Sequence, residues 1–452
     1  MEHTHKQISN NYSVPGFKLT TGTTNGRVTS SAEISARIIS IVLNGYQGNT
    51  AIQLWDGRQV TGNPDARCHI VFHDPGVVRE LILYRSISRL TDAYLDGAVS
   101  VNGDMETLFD LESHLTSLHF SPGEKWHLIW LALKLPARRR QKVVSEKSSG
   151  KTTHENGRAS IAYHYDVSNE FYHLWLDPEM VYSCAYFRDE QQSLADAQRE
   201  KLDYLCRKLR LQPGQTLLDI GCGWGALAIH AARHYGVTVH GITLSEAQQR
   251  FANERVQTEG LEQQVKIELL DYRNLPAGIK YDRVVSVGMF EHVGIKNFPT
   301  YFGTVKRVLK PGGLFLNHGI TSETSWHRTP ATRFINRYIF PDGELARISD
   351  VADAMEKAGF EVLDTEGLRR HYAYTLRHWV EALEANREQA IALTSEATYR
   401  LWRLYMSGSA FFFNKGSIGV HQLLAGHLHD PLAIPLRRDD LYVRNDVDTG
   451  RT

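Results

Sequence analysis

The segment LLDIGCGWGAL ends an apolar run on Asp219 and follows it with Gly221, Gly223 and Gly225, directly before a helical pattern. A strand, a glycine turn and a helix in that order let backbone approach a ligand closely at the carboxyl end of a strand. The spacing is GxGxG, where dinucleotide enzymes use GxGxxG. The next strand ends in Gly241, Ile242 and Thr243, with no acid to hold a nicotinamide cofactor's ribose. Both departures argue against a dinucleotide. Asp219 can instead accept hydrogen bonds from a ligand ammonium group or from neighbouring backbone, as S-adenosylmethionine would require. The plainer reading is a turn that only caps and packs a helix, and the strand-turn-helix context weighs against it.

Such a turn must sit in a parallel sheet, and the surrounding sequence supplies one. TLLDIGC, VTVHGITL, VKIELLD, YDRVVSVGMF and LFLNHGI read as short apolar strands, alternating with helical stretches such as ALAIHAARHYG and SEAQQRFANERV. Pro311, Gly312 and Gly313 mark the stop of a helix around NFPTYFGTVKRVLK. Five βα units predict an α/β, doubly wound, mostly parallel sheet, which the late stretch SIGVHQLLA would complete. Residues 323–394 read as aromatic and helical sequence that interrupts this rhythm. Upstream, AIQLWDGRQVTG, turned at Asp56-Gly57, and RCHIVFHD read as strands, and VVRELILYRSISRLTDAYLDG as a helix, giving a smaller N-terminal α+β domain. The expected boundaries are 1–136 for that domain, 137–160 for a polar, basic linker, 161–440 for the catalytic domain and 441–452 for a tail.

The whole chain has 452 residues, with 51 Lys and Arg balanced by 51 Asp and Glu, so no sequence-blind attraction to nucleic acid is expected. The four cysteines, Cys68, Cys184, Cys206 and Cys222, show neither a disulfide framework nor paired CxxC spacing. Reduced thiols, no metal site, no cleaved leader and no spanning helix are expected, hence a cytoplasmic protein.

Six ordered segments carry a family resemblance: YHYDVSNEFYHLWLDPEMVYSCAYF, LLDIGCGWGALAIHAA, GITLSEAQ, MFEHVG, RYIFPDGEL and YRLWRLYMSGSAFFF. The chain resembles the cyclopropane-fatty-acyl-phospholipid synthases, S-adenosylmethionine-dependent enzymes related to the mycolic acid cyclopropane synthases. The resemblance implies a class I methyltransferase-like fold. It also implies a cofactor site in which Tyr182 and Ser183 close over the ligand, Gly221 and Gly223 line its methionine side, and Thr243, Leu244 and Gln248 meet the ribose. Asp271 and Tyr272 would contact adenine, a carboxylate accepting from the amino group and a ring stacking on the base.

The implied chemistry adds a methylene to a cis alkene, beginning with attack of the alkene on the sulfonium methyl. A bound bicarbonate would then remove a proton from the new methyl as the ring closes. The resemblance places Cys184, Glu291, His318, Ile320 and Tyr405 around that anion: Cys184 and Ile320 through backbone N–H groups, His318 and Tyr405 as side-chain donors. Glu291, a carboxylate, would accept the hydrogen of bicarbonate. Dense aromatics (Tyr163, His164, Tyr165, Phe171, Tyr172, Trp175 and Phe411 to Phe413) are candidates to wall an acyl tunnel and to stabilise a cation.

The expected substrate is an unsaturated phospholipid in a bilayer, met by peripheral contact at the inner face of the membrane, with a homodimer as a further implication. The segment WHLIWLALKLPARRRQK joins an apolar run from Trp126 to Leu135 with Lys134, Arg138, Arg139, Arg140 and Lys142, a two-signal pattern for anionic bilayers. An ordinary core helix followed by a solvated linker fits the same residues. The competing functions are a lipid methyltransferase giving a methyl branch or methylene group, a non-catalytic lipid-binding protein on the same fold, and an ordinary small-molecule methyltransferase.

Overall fold

The structure is a computed structural model that describes residues 25–62, 65–138, 167–324, 327, 329–340, 343–431 and 434–442. The N-terminal domain runs α1 (Asn25–Val42), β1 (Thr50–Gln53), β2 (Gln59–Thr61), β3 (Cys68–Phe72), α2 (Pro75–Tyr84), α3 (Ile87–Leu95), β4 (Val99–Gly103), α4 (Asp110–Ser117) and α5 (Pro122–Leu133). Its four-stranded sheet has the order β2-β1-β3-β4. The turn at Asp56-Gly57 forms as expected, with Gly57 at φ 84°. The single helix expected after β3 is two helices, because Arg85 adopts φ 45° and ends α2 in a left-handed cap.

The second domain runs α6 (Asn169–His173), α7 (Leu194–Lys208), β5 (Thr216–Ile220), α8 (Ala226–Tyr235), β6 (Thr238–Thr243), α9 (Glu246–Thr258), β7 (Val265–Leu269), β8 (Tyr281–Val287), α10 (Phe298–Val308) and β9 (Leu309–Ser322). It continues with α11 (Pro330–Tyr338), α12 (Ile348–Lys357), β10 (Phe360–Gly367), α13 (Arg369–Ala385), α14 (Arg387–Leu393), α15 (Glu396–Lys415) and β11 (Ile418–His427). The seven strands take the order β10-β11-β9-β8-β5-β6-β7. Strands β9, β8, β5, β6 and β7 pair in parallel, and β11 enters antiparallel between β9 and β10. SIGVHQLLA thus completes the sheet. β10 lies inside the stretch read as aromatic and helical, where Glu361, Asp364 and Glu366 break up an apolar pattern. Pro311 to Gly313 do not stop the helix: α10 ends at Val308, and the triplet lies within β9.

The domains pack directly. Arg400 and Arg403 of α15 donate to the carbonyls of Tyr94, Val99, Val101 and Gly103, covering the free edge of β4 with guanidinium groups. Arg377 clamps Glu106 through two bonds of 2.7 Å. Phe411, expected to line the tunnel, stacks on Phe109 of the N-terminal domain at 5.5 Å. Arg138, assigned by composition to the linker and to the basic cluster, is buried and paired with Asp96 and Glu80. Its ion pairs tie the end of the N-terminal domain to Glu80 of α2 and to Asp96 at the end of α3. Arg139, Arg140, Lys142 and the segment Tyr163, His164 and Tyr165 lie outside the described residues. At the other end, Leu441 is buried and its carbonyl accepts from Arg207, so packing runs into the stretch expected as tail.

Candidate functional site

The order of strands reverses at β5, whose neighbours are β6 and β8, and loops leaving the carboxyl ends of these strands open a crevice there. Gly221, Gly223 and Gly225 follow β5 at φ 85°, 54° and 84°, a region costly for other residues. Their roles differ. A Cβ at Gly221 would lie 2.9 Å from the Met289 side chain after β8, whereas one at Gly223 would meet nothing within 4 Å. Gly221 therefore allows close packing, and Gly223 keeps the mouth of the turn clear, as a cradle for a ligand requires. Gly225 is the residue before α8, with Ala252 3.1 Å from where its Cβ would stand.

Asp219, the penultimate residue of β5, is buried, which pushes its carboxyl up to about 7, against the pull of the Lys201 charge. Lys201, on α7, was not singled out in the sequence. It is buried, its Nζ donates to Ser183 Oγ at 2.7 Å, and burial lowers it to about 8 against Cys184, Asp177 and Asp219. Gln198, one turn earlier, donates to the carbonyls of Val181 and Ser183. Together Gln198 and Lys201 fix the loop carrying Tyr182, Ser183 and Cys184 from beneath. The available signal was two long polar side chains on the apolar face of an amphipathic helix.

Beyond β6, Thr243 Oγ1 donates to Gln248 Oε1 at 2.9 Å, both buried, with Leu244 half-buried between them in sequence. Asp271 and Tyr272 follow β7. The Asp271 carboxylate already accepts from the Arg273 backbone N and Nε at 2.9 Å and from Nη2 at 2.5 Å. Tyr272 meets Tyr301 edge-on at 5.3 Å. These residues fit S-adenosylmethionine.

The second half of the site faces β8 and β9. Glu291 lies in a short 3-10 turn, Phe290–His292, after β8. Gly319 permits that approach, since a Cβ there would overlap the Phe290 ring. Glu291 Oε1 accepts from the Ile320 N–H at 2.6 Å. This departs from expectation, because the N–H assigned to the anion is engaged with Glu291. Glu291 Oε2 is buried with no partner, and burial pushes the carboxyl up to about 7. An oxygen so placed suits a partner that brings its own proton, as bicarbonate does.

His318 and Ile320 project from the same face of β9. His318 is buried, and burial together with Lys201, Lys208 and His421 drives it well below its ordinary value, so the ring is neutral. Cys184 is fully buried, its thiol pushed far up by desolvation, with Sγ directed to the Ala185 carbonyl at 3.3 Å. That leaves backbone as its means of contact. Tyr405, on α15, is raised to about 12 by burial, bonds with Tyr182 and feels the Glu291 charge. Its ring packs against both the N-terminal core and the aromatic cluster of the second domain. In that cluster Phe171, Tyr172 and Trp175 join Tyr182, Trp379 and Trp402, the last two unforeseen.

The mostly parallel seven-stranded sheet with ligand-side glycines after β5 is the class I methyltransferase architecture. A model of the mycolic acid cyclopropane synthetase family matches residues 152–423. The chain belongs to that family of S-adenosylmethionine-dependent methyltransferases. It is 43% identical over 400 residues to a probable fatty acid methyltransferase of Pseudomonas putida, covering 86% of this chain and 95% of that one. It is 43% identical over 262 residues to the cyclopropane-fatty-acyl-phospholipid synthase of Escherichia coli strain K12, covering 58% of this chain and 66% of that one. The crystal structure of the mycolic acid cyclopropane synthase CmaA1 complexed with SAH and CTAB superimposes with a TM-score of 0.57 at 37% identity, covering 61% of this chain and 99% of the other.

Proposed function

We propose that the protein converts the cis double bond of an unsaturated phospholipid acyl chain into a cyclopropane ring. The observation that carries this reading is the buried, unpartnered Glu291 Oε2, whose carboxylate is bonded to the Ile320 N–H and acts on Tyr405. S-adenosylmethionine, when bound, supplies the electrophilic methyl group, and bicarbonate supplies a base. Gly221, Gly223, Thr243, Leu244, Gln248, Asp271 and Tyr272 would hold the former, with Tyr182 and Ser183 over it. Cys184, Glu291, His318 and Tyr405 would hold the latter, and Ile320 acts through Glu291. A methyl donor alone does not need such a pocket. Ring closure needs a proton removed from the added carbon in a site that excludes water, because a carbocation on the acyl chain is captured by any water present. The buried rings of Phe171, Tyr172, Trp175 and Trp402 exclude it, and a ring face stabilises a nearby cation by about 0.5 to 2 kcal/mol.

Access to the lipid rests on α5. Trp126, Trp130 and Leu133 recur at helical spacing and are 72%, 53% and 57% exposed, while Leu128, Leu131 and Ala132 are buried. Lys134 lies 3.3 Å over the Trp130 ring. An apolar stripe with an adjoining cation suits an interfacial helix, and among the described residues no helix is long and apolar enough to cross a membrane. A second reading, a methyl-branched product, is favoured by the likeness to a probable fatty acid methyltransferase over 95% of its length. Incubation with S-adenosylmethionine and unsaturated phospholipid vesicles, with and without bicarbonate, separates the two. High-field ring protons in the NMR spectrum of the product, dependent on bicarbonate, are expected; a methyl branch or methylene signal in their place selects the other reading.

A further inference from the structure

A continuous row of polar side chains, half-buried at Glu366 and buried at Gln422 and His318, crosses three strands behind the site. Glu366 of β10 pairs with Gln422 of β11, and Gln422 with His318 of β9, so all three share one face of the sheet. Lys208, the last residue of α7, is fully buried over that face. Its ammonium has three protons and meets three acceptors: Glu366 Oε2 at 2.5 Å, Gln422 Oε1 at 2.9 Å and Asp364 Oδ2 at 3.3 Å. Tyr204 adds a hydroxyl donor to the same Glu366 oxygen at 2.8 Å.

This arrangement leaves no freedom in the amide. An ammonium can only donate, so Gln422 must turn Oε1 to Lys208 and Nε2 to His318, whose Nδ1 stands 3.1 Å away. An amide NH₂ can only donate, so Nδ1 must accept and the ring proton must reside on Nε2. We propose that Lys208 and Gln422 are positioning residues that hold His318 with its proton on Nε2, presenting an N–H donor to the anion-binding side of the site. Neither residue touches substrate or cofactor. Both act through the ring, and the carboxylates of β10 hold Lys208 in place. Only the consequence for turnover rests on the ring-forming function proposed above; the tautomer does not.

The test uses the full chain labelled with ¹⁵N-histidine, with His318 assigned among the 21 histidines by its absence from His318→Asn. Two-bond ¹H–¹⁵N spectra of the unsubstituted protein are expected to show an unprotonated Nδ1 and a protonated Nε2. Gln422→Glu replaces the donor with an acceptor and is expected to place a proton on Nδ1, with SAH affinity retained and turnover about 10²-fold lower, the lower end of what misplaced acid-base groups cost. Gln422→Met and Lys208→Met remove the constraint without reversing it and are expected to give mixed tautomers, which keeps the test open if the glutamate variant does not fold. A protonated Nδ1 in the unsubstituted protein, or folded Gln422 variants that keep its pattern, overturns the proposal. Tautomers that change as expected with full turnover retained support the positioning and overturn the role of His318 in the reaction.

Discussion

Helix α15 carries two buried polar arrangements two residues apart, and they are built on opposite terms. At the domain seam, Arg403 donates to Glu384 at 2.5 Å and to the carbonyls of Val101 at 2.8 Å and Gly103 at 2.7 Å, so each of its three nitrogens has a partner. At the crevice, Tyr405 faces Glu291, which has one oxygen bonded and the other bare. Both cost desolvation, but only the seam recovers it within the protein. A saturated buried charge stabilises an interface. A half-satisfied one marks where a ligand is expected to complete the network.

The contrast breaks first at Glu291. Glu291→Gln is expected to lower turnover by about 10² to 10⁴-fold, the range for a positioned acid-base group, while SAH binding measured by calorimetry stays nearly unchanged. Equal loss of both would move Glu291 into the cofactor pocket. The same group sets a pH dependence. Its carboxyl rises from 4.5 to about 7 on folding, so the native state binds more protons between those values and stability falls as pH rises through them. Glu291→Gln is therefore expected to be more stable than the parent at pH 8 by up to about 3 kcal/mol and equal to it near pH 4. Denaturant titrations at both pH values check it.

Arg403→Met strips the seam and is expected to cost about 3 kcal/mol of unfolding free energy, by leaving buried carbonyls and Glu384 without their donor. A variant as stable as the parent would show the saturation to be ornamental. Gly223→Ala is expected to weaken SAH binding about tenfold, equivalent to 1.4 kcal/mol, with only about 1 kcal/mol of strain from the positive φ. If stability drops sharply while binding holds, the turn serves packing alone. The smallest effect is expected from Trp126→Ser with Trp130→Ser: a several-fold loss of sedimentation with anionic vesicles, at unchanged SAH affinity and an unchanged melting temperature. Unaltered vesicle binding would remove α5 from the lipid-facing surface.

Much of this was legible along the chain. The glycine turn, the alternation of five strands with helices and the late strand β11 follow from local patterns, because a parallel strand and its crossover helix are contiguous in sequence. Cys184, Glu291, His318 and Tyr405 were reached through motif resemblance, not through spacing, since they come from four separated segments. β10 was missed because Glu361, Asp364 and Glu366 break up its apolar residues, and the last two serve Lys208. Arg138 was misread because an arginine in a basic run gives no hint that Asp96 and Glu80 wait for it across a fold. Lys201, Lys208 and Gln422 gave little local signal for the same reason.

Sequence alone determined the parallel strands and β11, the turn that admits a ligand, the neutrality of the chain and the residue types available to an anion. Tertiary structure decided which of those residues keep an unpartnered atom. It engaged Ile320 N–H with Glu291, paired Arg138 with Asp96 and Glu80, gave each nitrogen of Arg403 a partner, and fixed the His318 proton through Gln422 and Lys208. Whether a buried polar group is satisfied depends on partners far away in the chain, 302 residues in the bond from Arg403 to Val101, and only packing brings such partners within hydrogen-bond reach.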